Sequence, residues 1–145
     1  MSDKIKVSCL GCGGTNQIAE DAVGKTAVCG RCKTPLPVPG KVIEPAEDQL
    51  AVLIRQAGLP VLIDFYSETC VPCRMMHPIL ESLAGRRAGN LTVVRVNTEA
   101  HPDLAAAFRV EAVPTFVVMK RGAEVGRTTG AMGEMDFSLW AASIS

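Results

Sequence analysis

Long apolar runs, a net charge and an apolar leader are all missing from this sequence. No stretch approaches the roughly 20 consecutive apolar residues that a membrane-spanning helix needs. The residues after Met1 run straight into cysteines and glycines, without the apolar region of an export signal. Lys and Arg balance Asp and Glu at 15 each, so charge alone does not indicate nucleic acid. We therefore expect a cytoplasmic protein with no membrane contact.

Cysteine is the most informative residue type that is present. The 145 residues, 48% of them hydrophobic, are enough for one globular domain and a small appendage, and nothing demands more than a monomer. All six cysteines fall in Cys-x-x-Cys pairs. In a reducing compartment this pattern predicts metal or redox chemistry rather than a disulfide scaffold.

Two of the pairs, in the first forty residues, have the spacing of metal ligands. Cys9/Cys12 and Cys29/Cys32 are separated by sixteen residues, inside the window for four-thiolate zinc ribbons. So short a segment cannot build a sufficient apolar core, and metal binding would supply much of its folding free energy. We predict one structural Zn²⁺ per chain in a module over residues 1–34. Iron in the same site, short disulfides and unliganded thiols are the alternatives.

A proline-rich stretch follows this module. Pro35, Pro37 and Pro39 favour an extended backbone, so residues 35–41 are predicted to be a linker. Residues 42–145 would then form the second domain. Its hydrophobic periodicity predicts alternating helices and strands, and hence an α/β fold with a mixed sheet covered on both faces. The predicted segments are a helix over 50–57 ending at Gly58, a strand over 61–66, a helix over 70–83, a strand over 91–97, a helix over 102–108, a hairpin over 115–129 and a helix over 134–144.

The third pair differs from the other two in its setting. Cys70 and Cys73 follow the strand-like run 61–66 and open a helix, which puts both sulfurs on one face within disulfide range. Pro72 is tolerated there, and the free amides of the first turn can stabilise a thiolate on Cys70. We predict that Cys70 is the nucleophile and Cys73 the resolving thiol; a chance pair on a helix is the alternative.

Two further titratable side chains lie close to this pair in sequence. Asp64 interrupts an apolar strand, which is costly if the side chain is buried. Either its face of the strand meets solvent, or it accepts protons beneath the cysteines. His77 lies one helical turn after Cys73, and it either assists proton transfer or is a surface histidine.

Several motifs together resemble the thioredoxin family over residues 42–145. They are Asp64-Phe65-Tyr66-Ser67-Glu68-Thr69-Cys70-Val71-Pro72-Cys73-Arg74, Pro78, Val113-Pro114-Thr115 and Gly130-Ala131. With the four-cysteine module in front, the whole chain resembles thioredoxin-2, the zinc-binding subfamily. The resemblance implies a thioredoxin fold, with a central mixed five-stranded sheet flanked by four helices and a small amino-terminal zinc ribbon.

The resemblance also implies a reaction and roles for single residues. The Cys70 thiolate attacks a client disulfide, Cys73 resolves the mixed disulfide, and thioredoxin reductase restores the pair with NADPH electrons. Asp64 matches the buried acid that handles the proton of the resolving thiol. Pro114 matches a catalytic-site cis-proline, with Val113 offering its backbone to the substrate. Gly130 and Ala131 match the flat apolar rim that receives partner proteins, and Pro78 matches a proline that kinks the helix.

Three positions depart from the usual pattern of the family. Thr69 stands where a tryptophan is usual, Val71 replaces a glycine, and Arg95 replaces a lysine near the buried acid. Because Arg95 cannot release its proton, no shared titration with Asp64 is expected. A competing hypothesis is that the chain is a binding protein. Its basic ribbon would bind a client protein or nucleic acid, and Cys70/Cys73 would act as a redox switch. Nucleic acid is not expected, since the lysines lack interleaved aromatic residues.

Overall fold

The computed structural model describes residues 4–9, 11–19, 27–33, 36, 38, 40–56 and 59–145. Helices and strands alternate through most of its length. In chain order they are β1 (Lys4–Ser8), β2 (Thr15–Ala19), β3 (Val42–Ile43), α1 (Glu47–Gln56), β4 (Val61–Tyr66), α2 (Val71–Arg86), β5 (Thr92–Asn97), α3 (Pro102–Ala107), β6 (Thr115–Lys120), β7 (Ala123–Thr129) and α4 (Glu134–Ile144).

Five of these strands form one mixed sheet in the order β3-β5-β4-β6-β7. Strands β3, β5 and β4 are parallel to one another, because helices α1 and α2 carry the chain back between β3 and β4 and between β4 and β5. The last two pairings are antiparallel. Arg121 and Gly122 close the β6–β7 hairpin with φ of 54° and 80°, as a two-residue turn of primed type requires. The predicted mixed five-stranded sheet with four helices is confirmed.

Side chains of β4 alternate between two apolar layers. Val61, Ile63 and Phe65 face a cluster that also contains residues of α1, whereas Leu62 belongs to a cluster with α2 and α4. This period-2 alternation places Asp64 on the same face as Leu62, beneath α2. The sheet is thus covered on both faces, as predicted, and the position of the acid follows from it.

The amino-terminal segment has its own small core. Strands β1 and β2 pair antiparallel from Lys4↔Ala19 to Ser8↔Thr15. Six buried residues cluster around this hairpin: Val7, Cys9, Ile18, Cys29, Leu36 and Val38. Leu36 and Val38 lie inside the segment predicted to be a linker, and both pack against the four-cysteine module. The backbone amide of Leu36 donates to the carbonyl oxygen of Ala27 at 2.9 Å.

Several predicted features lie outside the described residues. These are the linker prolines Pro35, Pro37 and Pro39 and the helix stop at Ala57 and Gly58. The pattern did not predict β3, which is two residues long, or the β1–β2 hairpin. Two residues are too few to show an alternation, and the hairpin lies among cysteines and glycines whose spacing dominates the local sequence.

Phe137 anchors α4 to the sheet, and its truncation tests the core. Its ring is fully buried, 4.7 Å from that of Phe116 and 5.6 Å from that of Trp140. We expect Phe137→Ala to lower the free energy of unfolding by about 3 to 5 kcal/mol, because it removes apolar contacts and leaves a cavity. Urea unfolding followed by circular dichroism measures the loss. Leu139→Ala on the exposed face of the same helix is the control, and an equal loss there would contradict the assignment of the core.

Candidate functional site: a cysteine pair above a buried acid

The Cys70–Cys73 pair lies where β4 ends and α2 begins. The two cysteines form a disulfide, with Cα atoms 5.3 Å apart. Cys70 is the N-cap residue of α2, and its Sγ accepts a hydrogen bond from the backbone amide of Cys73 at 3.2 Å. An amide in the first helical turn stabilises negative charge on sulfur. Cys73 is buried and Cys70 only partly so, which makes Cys70 the more accessible of the two cysteines.

A second backbone segment approaches Cys70 from the β6 side of the sheet. The Val113–Pro114 peptide bond is cis, and the carbonyl oxygen of Val113 lies 3.8 Å from Cys70 Sγ. The amide of Gly130 donates to the carbonyl oxygen of Pro114 at 2.8 Å. Gly130 has a φ of 99°, a left-handed conformation that favours glycine. The structure therefore brings Val113, Pro114 and Gly130 together beside the cysteine pair, with Ala131 exposed next to them.

The loop between β4 and α2 is fixed by a hydroxyl network that sequence reasoning missed. Ser67 Oγ donates to the carboxylate of Glu99 and lies 3.0 Å from Thr69 Oγ1. The Thr69 hydroxyl also donates to Glu99 at 3.4 Å. Thr69 directly precedes Cys70 and stands in place of the usual tryptophan. Its hydroxyl thus connects the loop before α2 to a loop 30 positions away in the sequence. No local pattern could reveal this contact, because Glu99 is distant in sequence.

Asp64 is completely buried, so the alternative of a solvent-facing acid is excluded. In the parallel pairing of β4 with β5, Asp64 lies opposite Arg95. Arg95 Nε donates to Asp64 Oδ2 at 3.2 Å. Asp64 Oδ1, also buried, has no hydrogen-bond partner among the described residues.

Burial raises the pKa of Asp64 from 3.8 to about 6, and the Arg95 guanidinium opposes this rise only in part. A nearby carboxylate, that of Glu44, adds a smaller upward contribution to the same pKa. An acid with a pKa near 6 changes its protonation state close to neutral pH, which suits a group that exchanges protons with a thiol.

His77 adjoins this region without contacting the disulfide in any described hydrogen bond. Its Nε2 lies 2.7 Å from the carboxylate of Glu81, one helical turn on. Its Nδ1 is buried and has no hydrogen-bond partner among the described residues. His77 is in the lining of a cavity of about 530 Å³ that also includes Cys73 and Arg95. Both alternatives for this histidine stay open, since it is half-exposed and yet borders the cavity of the resolving thiol.

The other four cysteines form a separate cluster. The sulfurs of Cys9, Cys12, Cys29 and Cys32 all lie within 4.8 Å of one another. The Cys9–Cys32 and Cys12–Cys29 sulfur pairs are 3.5 Å and 3.7 Å apart. These distances exceed the roughly 2.05 Å of a disulfide. They are close to the roughly 3.8 Å edge of a tetrahedron with metal–sulfur bonds of about 2.3 Å. The cluster can therefore hold a metal ion.

Backbone amides point at these sulfurs, as in a metal knuckle. The amides of Gly11 and Cys12 donate to Cys9 Sγ at 3.3 and 3.4 Å, and the Arg31 amide donates to Cys29 Sγ at 3.4 Å. Hydrogen bonds from the Cys32 amide, the Asn16 side chain and the Arg31 amide lower the pKa of Cys29 to about 6. Such donors favour thiolates, which are the form that binds metal. Asn16, which the sequence pattern did not single out, supplies its amide from the end of β2 nearest the cluster.

A family model for thioredoxins matches residues 41–142 of this chain. The chain belongs to the thioredoxin family. The match covers β3 through most of α4 and includes the cysteine pair, the buried acid and the cis-proline. The thioredoxin family's chemistry is disulfide oxidation and reduction, so the chain is a thiol-disulfide oxidoreductase.

Individual thioredoxins resemble the chain over different lengths. Thioredoxin C-3 of Corynebacterium nephridii is 35% identical over 134 residues, which are 92% of this chain and 91% of that protein. The thioredoxin of Mycobacterium tuberculosis (strain ATCC 25618 / H37Rv) is 36% identical over 92 residues, 63% of this chain and 79% of its own. A bifunctional thioredoxin reductase/thioredoxin of Mycobacterium leprae is 33% identical over 95 residues, 66% of this chain and 21% of that protein. None of the helices built from the described residues has the length and apolarity that crossing a membrane requires.

The raised pKa of Asp64 predicts a pH-dependent cost in stability. Its value of about 6 in the folded protein exceeds the ordinary 3.8, so the neutral carboxyl is favoured by folding. The stability that the neutral carboxyl contributes is fully present below about pH 3.8 and is lost as the pH rises through about 6. The ionised carboxylate at pH 8 should therefore cost on the order of 3 kcal/mol. We expect Asp64→Asn to raise the free energy of unfolding at pH 8 by up to this amount, and by little at pH 4.

Urea unfolding at pH 4, 6 and 8 measures this dependence. Glu111→Gln, at an exposed carboxylate, is the control and should change the stability little at any of the three values. A gain for Asp64→Asn that is the same at all three pH values would contradict the assigned pKa.

Proposed function

We propose that this chain is a protein disulfide reductase in which Cys70 attacks the disulfide of a client protein. The single observation that carries the proposal is the asymmetry of the pair, with Cys70 partly exposed at the N-cap of α2 and Cys73 buried behind it. An accessible sulfur held by a helix amide suits attack, and a buried neighbour suits resolution. The reductase takes precedence over the binding-protein hypothesis because the family match includes both cysteines.

The proposed reaction has two exchange steps. The Cys70 thiolate attacks one client sulfur, forms a mixed disulfide and releases the other client sulfur as a thiolate. Cys73 then loses its proton, with Asp64 as acceptor, and attacks Cys70 Sγ. The second client thiolate leaves, and the Cys70–Cys73 disulfide remains. Two electrons have passed to the client, whose two thiolates take up protons.

The oxidised pair must be reduced before another turnover. We propose NADPH-dependent thioredoxin reductase as the electron donor. A related polypeptide of Mycobacterium leprae is named as a fusion of a thioredoxin reductase with a thioredoxin, and this supports such a partnership. Backbone recognition of the client would fall to Val113 and Pro114, since the Val113 carbonyl already lies against Cys70 Sγ. A cytoplasmic location suits this scheme, because thiols there stay reduced.

We also propose that the four-cysteine cluster holds one structural Zn²⁺, as in the thioredoxin-2 subfamily. The chemistry of the donor set supports zinc, because four thiolates at tetrahedral spacing leave no open position for a substrate. When bound, the ion would cross-link the connection between β1 and β2, which carries Cys9 and Cys12, to the segment around Cys29. The match to the Corynebacterium nephridii protein extends into the first forty residues, since residues 41–145 number only 105. The chain would then divide into a zinc module over 1–34, a connection over 35–41 and a thioredoxin domain over 42–145.

Catalysis is tested by insulin reduction with dithiothreitol as the electron source. We expect Cys70→Ser to abolish the catalysed rate and Cys73→Ser to trap a mixed disulfide with the client, because only the first sulfur starts the exchange. Cys12→Ser in the four-cysteine cluster is the matched control and should retain reductase activity. Equal rates for wild type and Cys70→Ser would reject the proposed function.

The zinc proposal is tested by metal analysis and by removal of the metal. Mass spectrometry should find one zinc per chain, and a chelator should abolish the dispersed amide NMR signals of β1 and β2 while those of the sheet around β4 persist. The reason is that the small apolar core seen among the described residues is not enough to fold the module alone. An iron occupant would colour the protein. Unchanged β1 and β2 signals after complete metal removal would contradict a structural role for the ion.

A further inference from the structure

Arg95 is held on three sides, and only one of these contacts is to Asp64. Its guanidinium carbon lies 3.8 Å from the centre of the Tyr66 ring, and its Nη1 lies 3.9 Å from the carboxylate of Glu44. Its Nε donates to Asp64 at 3.2 Å. The Arg95 side chain is 14% exposed, so the surrounding protein strengthens each of these interactions relative to water. One cation is thus shared between a buried carboxylate and a carboxylate at the surface.

Glu44 itself is fixed by Tyr66. The Tyr66 hydroxyl donates a hydrogen bond to Glu44 Oε1, although the Glu44 side chain is 57% exposed. Burial, together with the neighbouring Glu44, raises the pKa of Tyr66 to about 12, so its hydroxyl stays a donor at every physiological pH. A surface carboxylate without such a partner would spread over several rotamers and interact weakly with Arg95.

From this arrangement we infer that Glu44 and Tyr66 are positioning residues that act through Arg95 and keep Asp64 able to take up a proton near neutral pH. An arginine that served Asp64 alone would lower the pKa of that acid further, and a carboxylate with a lower pKa is a weaker base and a poorer acceptor of the Cys73 proton. Because Glu44 competes for the same guanidinium and adds its own negative charge, the proton on Asp64 is released less readily. Tyr66 holds Glu44 in the place where this competition occurs.

Other charged and titratable groups lie close to Arg95, the partner of Asp64. Helix α2 contributes Cys73, Arg74 and His77, which line the cavity shared with Glu44 and Arg95. On the β6 side the residue opposite Asp64 is Phe116, which carries no charge. Glu68 also lines the cavity but makes no described ion pair with Arg95. Glu68 therefore serves as the control position, because Glu68→Gln removes the same charge without removing a contact to Arg95.

The test is a carboxyl ¹³C NMR titration of Asp64 in the full-length protein. Glu44→Gln keeps an oxygen that can accept from the Tyr66 hydroxyl and removes only the charge. We expect it to lower the pKa of Asp64 by roughly 0.5 of a pH unit, the size of a screened interaction between two carboxylates. Tyr66→Phe keeps the ring beneath Arg95 but releases Glu44, and it should lower the same pKa by less. Glu68→Gln should leave it unchanged.

The outcomes separate this inference from the proposed function on which it rests. An Asp64 pKa that stays at the wild-type value in both Glu44→Gln and Tyr66→Phe overturns the inference, as does an equal shift in Glu68→Gln. Insulin reduction across the pH range supplies the second readout. If the NMR pKa falls in Glu44→Gln while the pH profile of reduction does not move, the inference stands and the proton-accepting role of Asp64 in the proposed function is rejected.

Discussion

The ionic contact between Asp64 and Arg95 is the constraint on which the site depends. A carboxylate with no exposed surface is unfavourable without a partner, and one arginine on the adjacent strand supplies it. Arginine also keeps its proton under all conditions, so the only proton that moves in this pair belongs to the acid. Burying Asp64 costs stability and raises its pKa to about 6.

The sheet delivers these groups to one place through its regular geometry. Alternation along β4 sends Asp64 to the α2 side, and the parallel register with β5 sets Arg95 beside it. The end of β4 leads within four residues to Cys70, so strand and helix position acid and nucleophile together. Active sites at the carboxyl ends of parallel strands are a general property of α/β proteins. The four-cysteine cluster has its own small core among the described residues, and its sulfurs are close enough to hold a metal ion.

Long periodic segments of the fold could be read from the sequence alone. The hairpin from Thr115 to Thr129 was predicted nearly to the residue, since the Arg121-Gly122 turn interrupts two strand-like runs. Strand β3 could not be found in this way, because its two residues gain their conformation from pairing with β5. The packing of Leu36 and Val38 with the cysteine module was likewise not predicted, because the neighbouring prolines indicated an extended linker.

Residue types and short spacings in the sequence by themselves determined how the cysteines divide into groups: one pair after a strand, which the structure shows as a disulfide, and two pairs with ligand spacing, which it brings into one cluster that could hold a metal ion. They also determined the kind of fold, because local periodicity is written along the chain. Only the tertiary structure decided whether Asp64 meets solvent or the core, and that Glu44, Tyr66 and Glu99 belong to the site. Burial and hydrogen bonding join residues far apart in sequence, and no local pattern carries that information.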